Sequence, residues 1–164
     1  MNINSLSQKY SVRKLDENDV DIIYDMSCKN DIFYQYHPPF VTRESILDDM
    51  GALPPGKGYD DKFYVGFFEN DSLVGLMDLI LDYPEKEISF IGLFMTDTRY
   101  QNRGVGSGII SDVILCLKSS GYKEIRLGVD KGNPQSYSFW TKNKFTPIRE
   151  DTYILICLLY TSPS

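Results

Sequence analysis

A glycine-rich loop between a short apolar run and an amphipathic segment, within residues 88–121, constrains the fold of this chain most. The apolar run at residues 88–95 is rich in β-forming residues and predicts a buried strand. After the loop, apolar residues recur at the spacing of one helix face, and Gly121 stands where a helix commonly ends. The residues of that face are Ile109, Ile110, Val113, Ile114 and Leu117. The stretch therefore predicts a strand, a tight loop and a helix in succession.

The loop at residues 104–108, GVGSG, is suited to binding phosphate. Glycines leave the backbone amides uncovered, and the amides of a helix N-terminus are unpaired donors at the positive end of the helix dipole. The dinucleotide fingerprint is excluded because Ile109 stands where its third glycine belongs, and a P-loop is excluded because Gly-Lys-Ser/Thr is absent. What remains is Gln101-x-x-Gly104-x-Gly106, for which a helix start shaped only by packing is the alternative.

The rest of the chain supplies the other elements of one domain, residues 1–164. The strand after the loop helix predicts a parallel crossover pair. We expect an α/β (α+β) fold with a mixed, mostly antiparallel sheet of six to seven strands flanked by four helices, and a disordered tail at residues 160–164. The predicted strands are 10–15, 62–68, 73–81, 88–95, 124–129, 145–149 and 153–159. The predicted helices are 20–28, a second helix that Thr42 caps and that carries Ile46, Leu47 and Met50, the loop helix, and 133–142.

Two spaced motifs in this order resemble the GNAT family of N-acetyltransferases. Gln101-x-x-Gly104-x-Gly106 is similar to the pyrophosphate-binding motif of that family. Asn133-x-x-Ser136, followed by Lys142-x-x-Phe145, is similar to its second motif region. The element order also matches, so the resemblance covers nearly the whole chain. It implies a GNAT-like sheet whose central parallel pair is splayed for the cofactor, with acetyl-CoA as the acetyl donor and a primary amine as the acceptor.

The resemblance also implies which residues hold coenzyme A. The backbone of residues 94–96 would pair with pantetheine, the amides of residues 103–108 would hold the pyrophosphate, and Gln101 would flank the phosphates together with Arg103. Asn133 would contact the pantetheine arm. The implied cofactor-binding residues are Phe94, Met95, Thr96, Gln101, Arg103, Gly104, Val105, Gly106, Ser107, Gly108, Asn133, Ser136 and Trp140.

Catalysis requires a base for the amine proton and a donor for the departing thiolate. Trp140 stands where the family usually carries the tyrosine that protonates the thiolate, and an indole cannot serve as that acid. Tyr137, one turn earlier, is the substitute we predict, with water as the alternative. Asp78 is conspicuous in an apolar strand and is one candidate base, or else a carboxylate that faces solvent or pairs with an arginine. Glu87 is the other candidate, or else an exposed strand end.

The acceptor site is expected from aromatic residues between the first helices and from the strand that carries Asp78. Aromatic rings bind an aminium group by cation–π attraction, and a hydrophobic cover over the sheet is the alternative reading of the same residues. The usual glycine before Phe145 is Lys144, and we expect Asn143 to take the left-handed turn instead. The candidate acceptor-binding residues are Tyr34, Tyr36, His37, Asp78 and Tyr83.

Composition excludes several classes of partner. The net charge is −6 and the pI about 4.7, which argues against a nucleic-acid partner and is compatible with a cationic substrate. Three scattered cysteines and one histidine predict no metal site and reduced thiols in a cytoplasmic protein. No apolar run is long enough to span a membrane.

Two hypotheses about function follow. The first is an acetyl-CoA-dependent N-acetyltransferase that acts on a small-molecule or protein amine. The alternative is a sensor or regulatory module that binds CoA or acetyl-CoA without transferring the acetyl group. C-terminal strands often mediate dimers in the family that this chain resembles, which makes a homodimer one possible assembly. Neither the oligomeric state nor the identity of the acceptor follows from the sequence.

Overall fold

The computed structural model of the protein describes residues 1–151 and 153–159. These residues form a seven-stranded sheet in the order β1-β2-β3-β4-β5-β7-β6. All neighbouring strands are antiparallel except β4 and β5, which confirms the predicted parallel crossover pair. The strands are β1 (Ser11–Lys14), β2 (Lys62–Glu69), β3 (Ser72–Leu81), β4 (Ile88–Thr96), β5 (Glu124–Asp130), β6 (Thr146–Glu150) and β7 (Tyr153–Leu159). The tail at residues 160–164, predicted to be disordered, lies outside the described residues.

Five α-helices in the described residues cover the two faces of the sheet. α4 packs on one face through the apolar positions predicted from its periodicity, and α5 joins the same core through Trp140. α1 and α3 cover the other face, where Ile23 and Ile46 pack against Leu76. The helices are α1 (Val20–Ser27), α2 (Asp31–Tyr36), α3 (Arg43–Gly51), α4 (Val105–Ser119) and α5 (Pro134–Lys142).

The short helix α2 corrects the expected number of four helices. Its segment is aromatic-rich and lacks a helical apolar period, so the sequence indicated a loop. Asn30 is followed by a single turn and a half of helix, opened by the bond from Tyr34 N to Asn30 O. The helix ends before Pro38, because proline cannot supply the amide that a further turn requires.

The parallel pair separates halfway along β4. Pairing of β4 with β5 runs only from Ile88↔Glu124 to Ile91↔Leu127, although β4 continues to Thr96. At the same level the β3–β4 register shifts between Asp78 and Leu79, which leaves Gly92 as the extra residue of a β-bulge. Beyond the bulge, β5 pairs only with β7. A gap therefore opens between the C-terminal halves of β4 and β5, in agreement with the expected splayed pair.

Left-handed residues set the ends of the helices beside this gap. Gly104, at φ +76°, is the residue before α4, and Gly121, at φ +94°, follows its C-terminus as expected. After α5, Lys144 carries the left-handed conformation at φ +77°, whereas Asn143 has φ −89°. The prediction that Asn143 takes this turn was therefore wrong, and the lysine accepts the strain itself.

The described helices include none that is long and apolar enough to cross a membrane. All three cysteines are unpaired, and burial raises the pKa of the thiols of Cys116 and Cys157.

The strand β6 forms one edge of the sheet with all five residues exposed. The expected homodimer through the C-terminal strands stays a prediction.

Candidate active site

A cleft of about 560 Å³ lies at the open end of the β4–β5 gap. One wall is α2, which contributes Ile32 and Phe33, and the floor is the C-terminal end of β4. The start of α4 and one face of α5 close the other side. Ten of the thirteen residues predicted to bind the cofactor line this cleft: Phe94, Met95, Thr96, Gln101, Gly104, Gly106, Ser107, Asn133, Ser136 and Trp140.

The first turn of α4 presents unpaired amides to the cleft. Within the described residues, the amides of Val105, Gly106 and Ser107 donate no hydrogen bond, whereas Gly108 N donates to Gly104 O at 3.0 Å. Of the six amides expected from the sequence, those of residues 103–107 donate no hydrogen bond within the described part of the chain, and only Gly108 N is used by the helix. Because no acidic residue lies in this turn, its positive dipole end is not neutralised. The turn can bind an anionic phosphate without a basic side chain.

The side-chain amide of Gln101 forms hydrogen bonds within the protein. Its Nε2 donates to Asn30 Oδ1 at 2.8 Å and to Thr96 O at 3.3 Å. The buried Asn30 in turn donates from Nδ2 to Met26 O at 3.2 Å. These bonds tie the end of α1 to the end of β4, so the side chain of Gln101 fixes the loop that leads to α4.

An aromatic cluster forms the wall under the loop. Phe94 stacks on Phe139 with ring centroids 6.1 Å apart, and Trp140 packs edge-on against both. A Cβ on Gly106 would lie 3.1 Å from Cε1 of Phe139. Glycine at this position therefore leaves room for the ring of Phe139 and also exposes its own amide. Both explanations of the motif, packing and phosphate binding, apply to this residue.

The remaining residues expected to bind the cofactor lie beside the cleft. Arg103, Val105 and Gly108 line a separate cavity of about 310 Å³ on the other side of the loop, together with Lys9. Arg103 is exposed there. The structure thus places Arg103 next to the phosphate loop but outside the cleft.

Tyr137 is not among the residues that line the cleft. It lines a cavity of about 490 Å³ between α5 and β6, with Pro147 and Ile148 opposite. Tyr137 is partly exposed, whereas Trp140, three residues later on α5, is buried in the core. Asn133 lines both this cavity and the cleft, and the role of Tyr137 as the acid stays a prediction.

Asp78 is half-buried in an ion pair. Its Oδ2 lies 3.0 Å from Nζ of Lys62, and the buried ammonium also donates to Asp49 O and Ala52 O, each at 2.8 Å. Burial raises the pKa of Asp78, and the ammonium of Lys62 offsets part of that rise. Asp78 pairs with Leu93 in the sheet and lies against the bulge at Gly92. The paired alternative for Asp78 is therefore what the structure contains, with Lys62 as the partner.

Two further candidates lie at the opposite end of β4 from the cleft. Glu87 precedes the strand, and its carboxylate pairs with Lys123 at 3.0 Å on the surface. Tyr83 lies in the turn between β3 and β4, and its ring packs edge-on against that of Phe90 in β4. The strand spans about 25 Å from end to end, so neither side chain reaches the cleft.

The aromatic candidates for the acceptor site lie on or after α2. Tyr34 packs between Phe33 and Phe40 and belongs to the core beneath α1 and α3, where burial raises the pKa of its hydroxyl. Tyr36 is half-buried, and His37 is exposed at the end of the helix. The hydrophobic-cover alternative fits Tyr34, whereas His37 contacts Asp130 at the end of β5.

Sequence reasoning missed several residues of the site. Phe139 could have been found from its place on the same helix as Trp140. Asn30, Phe33 and Asp130 could not, because their roles depend on contacts between elements distant in the chain. Asn133 was expected to touch the pantetheine arm, and its Oδ1 also caps α5 by accepting from Ser136 N at 3.1 Å.

The site has the features that a phosphate-bearing acyl carrier requires. Uncovered amides at the start of α4 lie next to a long gap beside strand β4. On the side of this gap, the C-terminal half of β4 does not pair with β5. Lys29 and Lys142 line the same cleft and add positive charge. Over the residues that the structure describes, no group of three His, Cys, Asp or Glu side chains could hold a metal ion. The fold and site thus define an acyl-carrier-binding α/β protein.

Comparison with known proteins gives the family. Residues 25–145 match the model of the acetyltransferase (GNAT) family, so the chain belongs to that family. Acetyl-CoA is accordingly the acetyl donor. A search of curated proteins found no match.

Solved structures share the fold. PaiA N-acetyltransferase from Thermoplasma acidophilum, in complex with coenzyme A, has 18% identity and a TM-score of 0.69 over 92% of this chain and 98% of its own. An acetyltransferase from Thermus thermophilus has 16% identity and a TM-score of 0.79, with coverage of 98% and 100%. The ribosomal-protein-S18-alanine N-acetyltransferase of Escherichia coli has 13% identity and a TM-score of 0.66, with coverage of 94% and 96%.

Proposed function

We propose that the protein transfers the acetyl group of acetyl-CoA to a primary amine of a small molecule or a protein. The observation that carries this proposal is the gap between β4 and β5 with the unpaired amides of α4 at its mouth. The gap can receive an extended pantetheine arm beside β4, and the amides can receive the pyrophosphate. The aromatic candidates for the acceptor site lie on or after α2, which forms one wall of the same cleft.

Nitrogen as the accepting atom is supported by two kinds of observation. Two of the similar structures are N-acetyltransferases by name. The chain itself is acidic, with a net charge of −6, and such a surface attracts a cationic amine. The three unpaired cysteines fit a reducing compartment and support a cytoplasmic location.

The roles of the cleft residues follow from their contacts. Residues 94–96 offer backbone groups to pantetheine, and Trp140 closes the wall beside them with an indole Nε1 that makes no hydrogen bond among the described residues. Asp78 lies against the bulge at Gly92, and the ammonium of Lys62 holds its carboxylate in place, which supports a positioning role. The thiol of CoA has an ordinary pKa of about 8.5, so water can protonate the departing thiolate without a side-chain acid.

Release of thiol from acetyl-CoA tests the proposal. The purified protein would be assayed with monoamines, diamines, amino acids and short peptides, with alcohols of matched size as controls. We expect amine-dependent thiol release and an acetylated amine detected by mass spectrometry. CoA binding without thiol release for any amine would instead support the sensor alternative, which the family membership does not favour.

A further inference from the structure

A histidine and an aspartate from distant parts of the chain meet at the splayed end of the sheet. Nδ1 of His37 lies 3.1 Å from Oδ1 and 3.2 Å from Oδ2 of Asp130. His37 ends α2, and Asp130 ends β5, so the contact joins the α2 wall of the cleft to the strand across the gap. Neither side chain has a role in the cofactor binding described above.

The strand register places this contact across the gap from the C-terminal half of β4. The last β4–β5 pair is Ile91↔Leu127, and three residues further along each strand stand Phe94 and Asp130. Both strands advance by about 10 Å over these three residues, so Asp130 lies across the gap from the part of β4 that lines the cleft. The ring of His37 also packs 5.3 Å from that of Phe33, another residue of the cleft wall.

We propose that His37 is the general base that accepts the proton of the acceptor amine, and that Asp130 is the positioning residue that orients its imidazole. The inference rests on the proposed function, because it assigns a base to that amine. It extends the site with a residue, Asp130, that the sequence did not single out.

The chemistry of the pair suits this role. A carboxylate can only accept a hydrogen bond, so Nδ1 of His37 carries a proton and donates it to Asp130. Nε2 of the neutral ring then holds the lone pair. In the described part of the chain Nε2 makes no hydrogen bond, and the His37 side chain is 60% exposed, so an acceptor can approach it. Asp78, by contrast, is held in place by the ammonium of Lys62.

The charged groups around the pair favour a cationic acceptor. Asp130 faces the ring from β5, and the carboxylate of Asp49 on α3 interacts electrostatically with it. Lys131, next to Asp130, is paired with Glu150 of β6 at 3.5 Å. Around His37 the acidic groups outnumber the unpaired cations. An aminium group is therefore attracted to a position next to Nε2 of His37, to which it can transfer its proton.

The step balances as follows. The aminium nitrogen gives one proton to Nε2 of His37, and its lone pair then attacks the thioester carbonyl carbon. The new C–N bond forms, the C–S bond breaks, and CoA leaves as the thiolate with the electron pair. A second proton from nitrogen reaches the thiolate through water, and the imidazolium releases its proton to solvent. The products are the acetamide, the CoA thiol and one proton.

The test compares His37→Ala, His37→Gln and Asp130→Asn with Asp21→Asn as the matched control. Asp21 belongs to an exposed ion pair with Arg43 that is remote from the cleft. With an active amine from the panel, we expect kcat to fall about 10²–10⁴-fold in both His37 variants, the range for loss of a general base. The KM for acetyl-CoA should change little, added imidazole should restore part of the rate of His37→Ala, and Asp21→Asn should match the wild type.

The role of Asp130 has a spectroscopic readout. His37 is the only histidine of the chain, so its ring ¹⁵N signals need no assignment. At a pH where the ring is neutral, we expect the proton on Nδ1 in the wild type and a mixture of tautomers in Asp130→Asn, together with a smaller loss of kcat than in His37→Gln. Circular dichroism and CoA titration would show that each variant is folded and binds the donor.

Each outcome separates the two proposals. An active wild type whose His37→Gln variant keeps full kcat from pH 6 to 9 would overturn the base but leave the transferase intact. A neutral ring with its proton on Nε2 in the wild type would overturn the orienting role of Asp130. A wild type that binds CoA but acetylates no amine would overturn the proposed function itself, and the base with it.

Discussion

Single residues of the phosphate loop serve packing and binding at the same time. Gly106 leaves an unpaired amide and also leaves room for Phe139, so a large side chain there would disturb both. A cleaner probe is Ser107, which follows Gly106, lines the cleft and accepts one bond, from Asn143 Nδ2 at 3.2 Å. The binding role of the loop can thus be tested without the packing role.

Ser107→Asp should weaken CoA binding while leaving the chain folded. A carboxylate in the first turn of α4 favours the helix by about 0.3–1 kcal/mol, because it meets the positive end of the dipole. The same charge repels the phosphates, and we expect the dissociation constant for CoA to rise more than tenfold in calorimetric titration. Ser5→Asp, an exposed serine outside the cleft, is the control for added charge. An unchanged affinity in Ser107→Asp would place the phosphates elsewhere.

Tyr137→Phe should lower kcat by less than tenfold. The hydroxyl lies in the cavity between α5 and β6, and a general acid that touched the thiolate would contribute about 10²–10⁴-fold. The measurement is steady-state turnover with an active amine between pH 6 and 9. A hundredfold loss of kcat, with the KM for acetyl-CoA unchanged, would return Tyr137 to the role that the sequence suggested.

At the scale of elements, the sequence predicted what local rules determine. The N-cap of α5 at Asn133, the glycine after α4 and the parallel crossover were all confirmed, because each depends on neighbours in the chain or on a strong topological preference. The helix α2 was missed, since its six residues show no apolar period. The bulge at Gly92 and the ion-pair partner of Asp78 could not be predicted from the sequence, because both depend on which residues face each other across strands.

The ion pair between Lys62 and Asp78 links β2 and β3, and removing only one of its charges should destabilise the fold strongly. Asp78→Leu leaves the buried ammonium of Lys62 with only two carbonyl acceptors, and loss of one partner of a buried pair costs about 3–5 kcal/mol. Urea unfolding would measure this fall in the free energy of unfolding.

A double variant separates pairing from burial at this position. Lys62→Met combined with Asp78→Leu removes both charges and fills a similar volume, so we expect most of the lost stability to return. A double variant that is less stable than Asp78→Leu alone would show that the pair itself, and not the unpaired charge, accounts for the cost.

At the scale of the whole molecule, an acidic protein must bind an acidic ligand. The net charge is −6, and coenzyme A brings several negative charges of its own. The structure meets this demand locally, because unpaired amides, the dipole of α4 and the side chains of Lys29 and Lys142 lie within one cleft. Distant acidic groups on the surface are largely screened at physiological salt. The overall negative charge of the protein therefore does not oppose local binding of the cofactor.

CoA should raise the melting temperature of the whole domain. A ligand that binds only the native state, at a hundredfold excess over its dissociation constant, stabilises it by about 2.7 kcal/mol. For a chain of this length each kcal/mol corresponds to about 2–4 °C, so we expect a shift of about 5–10 °C in differential scanning fluorimetry. Pantetheine, which lacks the phosphates, should give a clearly smaller shift at equal concentration, because the amides of α4 then have no anion to bind. Equal shifts from the two ligands would mean that the loop does not bind the pyrophosphate, and the absence of any shift at millimolar CoA would contradict binding of the donor altogether.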